Sequence, residues 1–217
     1  MSEHIVKIKS AEFILHNVRR FVVERPDNYS FTPGQATDVS LNLPEWKENL
    51  HPFTFTGPPE ADFLEFTIKI YPERNGITKE LGTIKPGAEL ILHDVFGTIE
   101  YKGPGVFIAG GAGVTPFIGI LRDLHRKNKI AGNFLIFSNK TFRDVILKEE
   151  FEKMLGKNFI SLLSEEIGHH IDRKFLTQHI HNFLQHFYVC GPDEFTTFIL
   201  DQLTSLGASP EAVVFEK

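Results

Sequence analysis

The sequence predicts an antiparallel β-barrel followed by a parallel α/β domain, and three observations carry that expectation. Short apolar or alternating runs, punctuated by turn residues, fill the first hundred residues. Beyond about residue 103 strand-like runs alternate with helix-like ones. The change of rhythm falls at Tyr101-Lys102-Gly103-Pro104. Closely spaced short strands suit an antiparallel barrel or sandwich, whereas strand–helix alternation implies a parallel sheet with crossover helices.

In the first half, Phe13–Leu15, Arg20–Glu24, Ala36–Leu43, Phe63–Tyr71 and Ala88–His93 read as strands. Pro26-Asp27-Asn28, Thr32-Pro33-Gly34, Gly57-Pro58-Pro59 and Lys85-Pro86-Gly87 supply the turns between them. In the second half, Gly105–Ala109 reads as a strand and Val114–Lys127 as a helix with Ile118, Leu121 and Leu124 on one face. A strand at Phe134–Phe137 and a helix over Val145–Leu155 follow. The alternation continues through Phe159–Leu163, Arg173–His181, Phe187–Cys190, Glu194–Leu206 and Ala212–Phe215. The division expected is therefore 1–102 and 103–217.

Composition narrows the function classes. The formal net charge is -5, with no long block of Lys or Arg, which argues against nucleic acid as the main ligand. Cys190 is the only cysteine, so a disulfide framework, a cysteine-rich zinc site and a four-cysteine iron–sulfur cluster are all excluded within the chain. His169, His170, His179, His181 and His186 lack the spacing of a His-Glu-x-x-His zinc site, and no metal is assigned. Gly103–Leu121 carries no charge, but its six glycines with Pro104 and Pro116 would break a membrane-spanning helix. The first residues hold Glu3 and Glu12 and no apolar core of signal-peptide length, so a cytoplasmic location is expected, with no membrane partner.

The most informative short segment is Gly110-Gly111-Ala112-Gly113-Val114-Thr115-Pro116, reached directly from an apolar strand. Glycine lets backbone approach a pyrophosphate, and a helix N-terminus offers free amides and a positive dipole end. Thr115 can add a hydroxyl, and Pro116 suits a first helical turn. Without a following Lys this is no P-loop, and a glycine turn made only for packing is the competing reading.

Three further segments change that balance: His51-Pro52-Phe53-Thr54, Asn75-Gly76-Ile77-Thr78 and Cys190-Gly191-Pro192. In this order, with the glycine turn between the second and third, the set resembles the ferredoxin–NADP reductase superfamily across almost the whole chain. The resemblance implies a barrel that binds FAD, followed by a Rossmann-like parallel α/β domain that binds NADPH or NADH. His51, Phe53 and Thr54 stand where the family has Arg, Tyr and Ser/Thr for the FAD pyrophosphate, the isoalloxazine face and flavin N5. A neutral His holds phosphate less strongly than Arg, and Arg74 or Lys79 stands close enough in sequence to supply the charge. Gly76 and Thr78 match the FAD-phosphate segment, and Cys190 matches the thiol near the nicotinamide C4. Glu216 stands where relatives carry a C-terminal acidic residue near the flavin. The implied reaction is hydride transfer from nicotinamide to flavin and onward delivery of single electrons.

Ser138, Asn139, Lys140 and Arg143, after the second α/β strand, suit a ribose 2′-phosphate and favour NADPH, although Asp144 stands beside them. The expected acceptor is ferredoxin or flavodoxin, docked through Arg19-Arg20 or through Arg122, Arg126, Lys127 and Lys129. The His-Pro-Phe-Thr variant keeps ferric-chelate or flavin reduction as an alternative, and a non-catalytic dinucleotide-sensing module is the rival of another class.

Overall fold

A computed structural model describes residues 2–97, 99–167 and 170–215. Two sheets organise it. The first is antiparallel, built from β1 (His4–Leu15), β2 (Val18–Glu24), β3 (Gln35–Leu41), β4 (His51–Thr54), β5 (Phe63–Lys69) and β6 (Glu89–Gly97), in the order β4-β3-β6-β1-β2-β5. The two outer strands meet where the chain runs on from β4: Phe55 bridges Phe66, and the Thr56 amide donates to the Glu65 carbonyl at 2.9 Å. The sheet thus curls into a barrel, which removes exposed edges. Alternating residues fill it, with Val6, Ile8, Phe21, Val23, Leu64, Phe66, Leu90 and Leu92 all buried.

The second sheet is parallel. It comprises β7 (Gly105–Gly110), β8 (Phe134–Asn139), β9 (Phe159–Leu163), β10 (His186–Cys190) and β11 (Val213–Phe215), ordered β11-β10-β7-β8-β9. Successive side chains of one strand point to opposite faces. Phe107, Ala109, Leu135, Phe137, Tyr188 and Cys190 face the core formed with α2 (Thr115–Arg126) and α3 (Lys148–Leu155). Val106, Ile108, Ile136, Phe187 and Val189 face a second core with α5 (Arg173–His179) and α6 (Asp193–Ser205). Two short helices, α1 (Ile77–Leu81) in the barrel half and α4 (Ser164–Ile167) after β9, complete the set.

The first core does not stop at the α/β domain. Val18, Ile99, Ile14 and Leu15 from the barrel side pack into it, so the two halves share apolar surface. Gly119 lets α2 press directly on the barrel, since a Cβ there would lie 2.7 Å from the Phe55 carbonyl oxygen.

Several expectations need correction. β1 extends back to His4, well before Phe13. The glycine turn is a 3₁₀ turn over Gly111–Val114, and the α-helix begins only at Thr115. Val145–Leu147 is not helical: Leu147 adopts φ 52° just before α3. Among the described residues no helix is long and apolar enough to cross a membrane. No group of three or more metal-ligating side chains is present among them either.

Candidate functional site

The C-terminal ends of β7, β8 and β10 lie side by side, with Gly110 opposite Ser138 and Ala109 opposite Cys190. At such a point neighbouring connections leave in opposite directions and open a crevice. Here the barrel closes the other side, giving a cleft of about 890 Å³. Pro52, Phe53 and Thr54 of β4 line it, as do Thr67, Ile68 and Lys69 of β5 with Tyr71, Arg74 and Thr78 beyond. From the α/β domain come Gly110, Gly111, Ala112, Gly113 and Thr115, then Ser138, Asn139, Lys140 and Asp144, then Cys190, Gly191 and Pro192. The motifs that lie far apart in sequence thus converge on one space.

The glycines divide into two kinds. A Cβ on Gly113 would lie 2.3 Å from the Cys190 carbonyl oxygen, one on Gly191 2.6 Å from the Phe195 ring, and one on Gly110 3.0 Å from the same ring. These three serve close packing of the turn against β10 and α6. Gly111 differs: it has φ +53° and open space where a Cβ would stand, which leaves its backbone facing the cleft. The packing reading of the turn therefore holds at Gly110, Gly113 and Gly191, while Gly111 is the glycine whose open backbone suits a ligand. Thr115 donates its hydroxyl to the Ala112 carbonyl at 3.1 Å, and Pro116 takes up the first helical turn.

Not every residue singled out from sequence reaches the cleft. Val114, Pro116 and Ile77 are core, and His51, Asn75 and Gly76 stand outside the lining. Arg143 turns instead into a separate groove with Ile14, His16 and Phe142. Glu216 lies outside the described residues. Of the proposed docking cations, all but Lys129 are committed elsewhere. Arg19 is buried and donates to the carbonyls of Leu81, Ile84 and Ala11. Arg20 and Arg122 pair with Glu65, Arg126 with Glu60 and Asp123, and Lys127 with Asp123. Lys79 does not line the cleft, whereas Arg74 does.

The polar groups that line the cleft differ in how far they are committed. Asn139 is buried to 5 % exposure, and neither its amide oxygen nor its nitrogen has a partner among the described residues. Buried amides are rarely left so, because desolvation then goes uncompensated. Lys69 and Arg74 flank the Tyr71 ring, with the Arg74 guanidinium 4.5 Å from its centroid and the Lys69 amine 5.9 Å away. Among the described residues neither cation forms an ion pair. Burial pushes the Tyr71 phenol upward, against the opposing effect of Arg74. An orphaned amide, two uncommitted cations and an exposed glycine backbone fit an anionic, hydrogen-bonding dinucleotide. Lys69 and Tyr71 escaped sequence reasoning, yet Thr67, Lys69 and Tyr71 stand at every second position, the spacing that puts strand residues on one face.

At the far lip the charges are balanced. Lys140 pairs with Glu165 at 3.7 Å, and the Phe142 amide donates to Glu166 at 2.7 Å. Asp144 accepts from the Thr141 amide at 3.1 Å and hydroxyl at 2.7 Å, capping its own turn. Burial raises the Asp144 carboxyl, but the two Thr141 bonds together with the charges of Lys69 and His16 hold it below the usual range.

Residues 107–201 match the oxidoreductase NAD-binding domain model. Over 167 residues the chain is 31% identical to NADH-cytochrome b5 reductase 1 of Aspergillus oryzae, covering 70% of this chain and 56% of that one. The chain spans about half the length of the curated relatives it matches. A ferredoxin NADP+ reductase from Neisseria gonorrhoeae, solved with bound FAD and NADP, superposes with a TM-score of 0.84 at 16% identity, covering 100% of this chain and 98% of that one. The cytochrome b5 reductase domain of Ulva prolifera nitrate reductase gives 0.84 at 17% identity, covering 98% and 96%. The chain therefore carries an oxidoreductase NAD-binding segment set behind a barrel, in the two-domain fold it shares with ferredoxin–NADP reductase-like FAD/NAD-binding proteins.

Proposed function

We propose that this chain is an NADH-dependent FAD reductase that passes electrons to a small one-electron carrier, with residues 1–102 as the flavin domain and 103–217 as the nucleotide domain. The observation that carries the reading is the shared cleft, where the Pro52–Thr54 strand faces the Gly110–Thr115 turn and Cys190. Bound FAD would supply hydride acceptance from a nicotinamide and release of single electrons to a carrier. The protein's part is to bind, orient and exclude water.

Phe53 and Thr54 would hold the flavin ring, with the Thr54 hydroxyl, free of protein partners among the described residues, as its hydrogen-bonding contact. Lys69 and Arg74 would neutralise the FAD phosphates, compensating for His51 where relatives carry Arg, and Thr78 would add a hydroxyl. Gly111, Thr115 and Asn139 would bind the nicotinamide dinucleotide, and Cys190 would line its site without covalent chemistry. Cys190 is 3 % exposed and packed in the core, which favours a space-filling role over a reactive one.

Three observations favour NADH over the NADPH expected from sequence. Arg143 faces another groove, Lys140 is paired with Glu165, and Asp144 caps its own turn, so among the described residues the two cations expected from sequence are turned away from a 2′-phosphate. The names of the curated relatives agree with this preference. They also favour a haem carrier of the cytochrome b5 kind over ferredoxin or flavodoxin as acceptor. A cytoplasmic setting belongs to the same proposal.

Anaerobic titration of FAD-loaded protein with each nucleotide, followed by absorbance, tests the reading. The flavin should bleach with NADH at lower concentration than with NADPH. Turnover should then be fastest with cytochrome b5, against ferredoxin, flavodoxin and a ferric chelate as comparison acceptors. Protein that stays colourless after FAD addition would overturn the proposal.

A further inference from the structure

We propose that Arg122 is the positioning residue that fixes the distance between the flavin cradle and the nucleotide cradle, an inference that rests on the function proposed above. The guanidinium lies on α2 and reaches three other segments. Its Nε and Nη2 donate to the two Glu150 oxygens of α3 at 2.5 and 2.8 Å. Its Nη1 donates to Glu65 Oε1 of β5 at 2.6 Å and to the Thr56 carbonyl at 2.9 Å. Glu65 is 3 % exposed and also accepts from Arg20 at 2.7 Å and from the Thr56 hydroxyl at 3.0 Å. Arg122 therefore joins two helices of one half to β5 and the segment after β4 of the other.

What those segments carry makes the contact a matter of chemistry rather than of folding alone. Thr56 follows Thr54 by two residues, and Glu65 precedes Thr67 and Lys69 on the same strand, so the barrel side of the clamp is the flavin-facing wall itself. On the other side α2 begins at Thr115, directly after the glycine turn. Seven residues of helix separate Thr115 from Arg122, about 10 Å at 1.5 Å per residue. Gly119, between them, lies against the Phe55 carbonyl with no room for a Cβ. A displacement at this seat moves one cradle relative to the other with nothing flexible in between.

The planar fork of Arg122 is what fixes orientation. The fork makes four hydrogen bonds, to two carboxylates and a carbonyl, so a lysine would keep the charge and lose the angle. Because a misplacement of about 1 Å can cost two orders of magnitude in rate, the clamp is expected to act on the reaction and not on ligand affinity.

The test has one arm that needs no cofactor. Nitroxide labels are attached at Lys85→Cys on the barrel and Lys174→Cys on α5, both exposed, with the buried Cys190 left in place. Electron–electron distance measurements are made on ligand-free protein carrying wild-type Arg122, Arg122→Lys or Arg122→Met. A single narrow distribution is expected for the first and a broadened or displaced one for both variants. In the second arm, the FAD-loaded proteins oxidise NADH to NAD+ under stopped flow, its two electrons and hydride proton passing to the flavin. Both variants should reduce the flavin about tenfold or more slowly at saturating NADH, with NADH affinity and FAD content held within about twofold. Gly119→Ala, which forces the same seat apart, gives a second perturbation if Arg122→Met fails to fold. Unchanged distributions, or a rate loss matched by FAD loss, would overturn the proposal, as would full rates in Arg122→Lys. A wild-type flavin that neither nucleotide reduces would sink the function proposed above instead, leaving the distance arm to judge the clamp.

Discussion

Along β5 and the turn after it, two polar clusters stand within ten residues of each other and are treated oppositely. At Glu65 every formal charge is answered: Arg20 and Arg122 reach the carboxylate, and Glu150 takes the rest of Arg122. At Lys69, Tyr71 and Arg74 the cations share an aromatic ring and, among the described residues, neither forms an ion pair, and across the cleft Asn139 keeps both amide atoms unpartnered. Burial differs too: Glu65 and Asn139 are nearly inaccessible, whereas Lys69 and Tyr71 are half-buried and Arg74 is exposed. Buried polar groups are usually satisfied, so the contrast marks Glu65 as part of the fold and, on the function proposed above, leaves Asn139, Lys69 and Arg74 for a ligand.

The sharpest way to break that division is at Glu65. Glu65→Gln should destabilise the protein by about 3–5 kcal/mol, because it leaves the guanidiniums of Arg122 and Arg20 without their shared carboxylate. The loss is read from urea midpoints at neutral pH. Burial raises the Glu65 carboxyl, but the two arginines overcome it and hold it below the ordinary range. A lowered folded-state value means the stabilisation is complete above the unfolded value near 4.5 and fades as pH falls through the folded one. The gap between wild type and Glu65→Gln should therefore be widest at neutral pH and close progressively in acid below 4.5. A gap independent of pH would assign the effect to shape instead of charge.

Next in size are the two kinds of glycine. Gly113→Ala drives a Cβ into the Cys190 carbonyl and should cost about 3 kcal/mol. Gly111→Ala meets open space and should cost only the left-handed backbone penalty, about 1–2 kcal/mol, while weakening nucleotide binding more than its neighbour does per unit of stability lost. Asn139→Leu takes the contrast further. Removing an unsatisfied buried amide should leave the ligand-free protein within about 1 kcal/mol of wild type while NADH affinity falls about tenfold. If ligand-free Asn139→Leu lost much more than that, the amide would belong with Glu65 and the division would fail.

How much of this was legible beforehand follows from the range of the interactions involved. β9 was read to the residue, and the glycine turn was found, because strand periodicity and turn chemistry are local. β1 was cut short because only Val6 and Ile8 between His4 and Ser10 are buried, so the apolar signal there is thin. The five-residue α1 is too short to show a helical period. The start of α3 was misplaced because Leu147 takes a left-handed conformation that a leucine gives no sign of. At the site, the ordered motifs point to Thr54, Gly111 and Cys190, which line one cleft, and Asn139, expected at the ribose end, lines it too. Arg143 was misdirected because Thr141 and Asp144 close a capping turn that faces it the other way. The Arg122–Glu65 pair joins residues 57 apart, and no local pattern announces such a contact.

The smallest effect lies at the lip, where the rule that committed charges do not serve ligands meets its weakest case. Lys140 and Glu165 are both largely exposed, at 79 % and 58 %, and stand 3.7 Å apart. Such a pair contributes little to stability, so Glu165→Gln should leave the urea midpoint essentially unmoved. It should, however, release Lys140 to meet a 2′-phosphate and remove a like charge from its approach. The expected result is a severalfold gain in NADPH affinity with NADH affinity nearly constant, since one exposed charge contact is worth about 0.2–1 kcal/mol. The gain should shrink at high salt, as screening demands of an exposed contact. If NADPH binding does not improve while Lys140→Gln leaves NADH binding intact, the lip plays no part in choosing the nucleotide, and the uncommitted cations Lys69 and Arg74 become the place where phosphate charge is read.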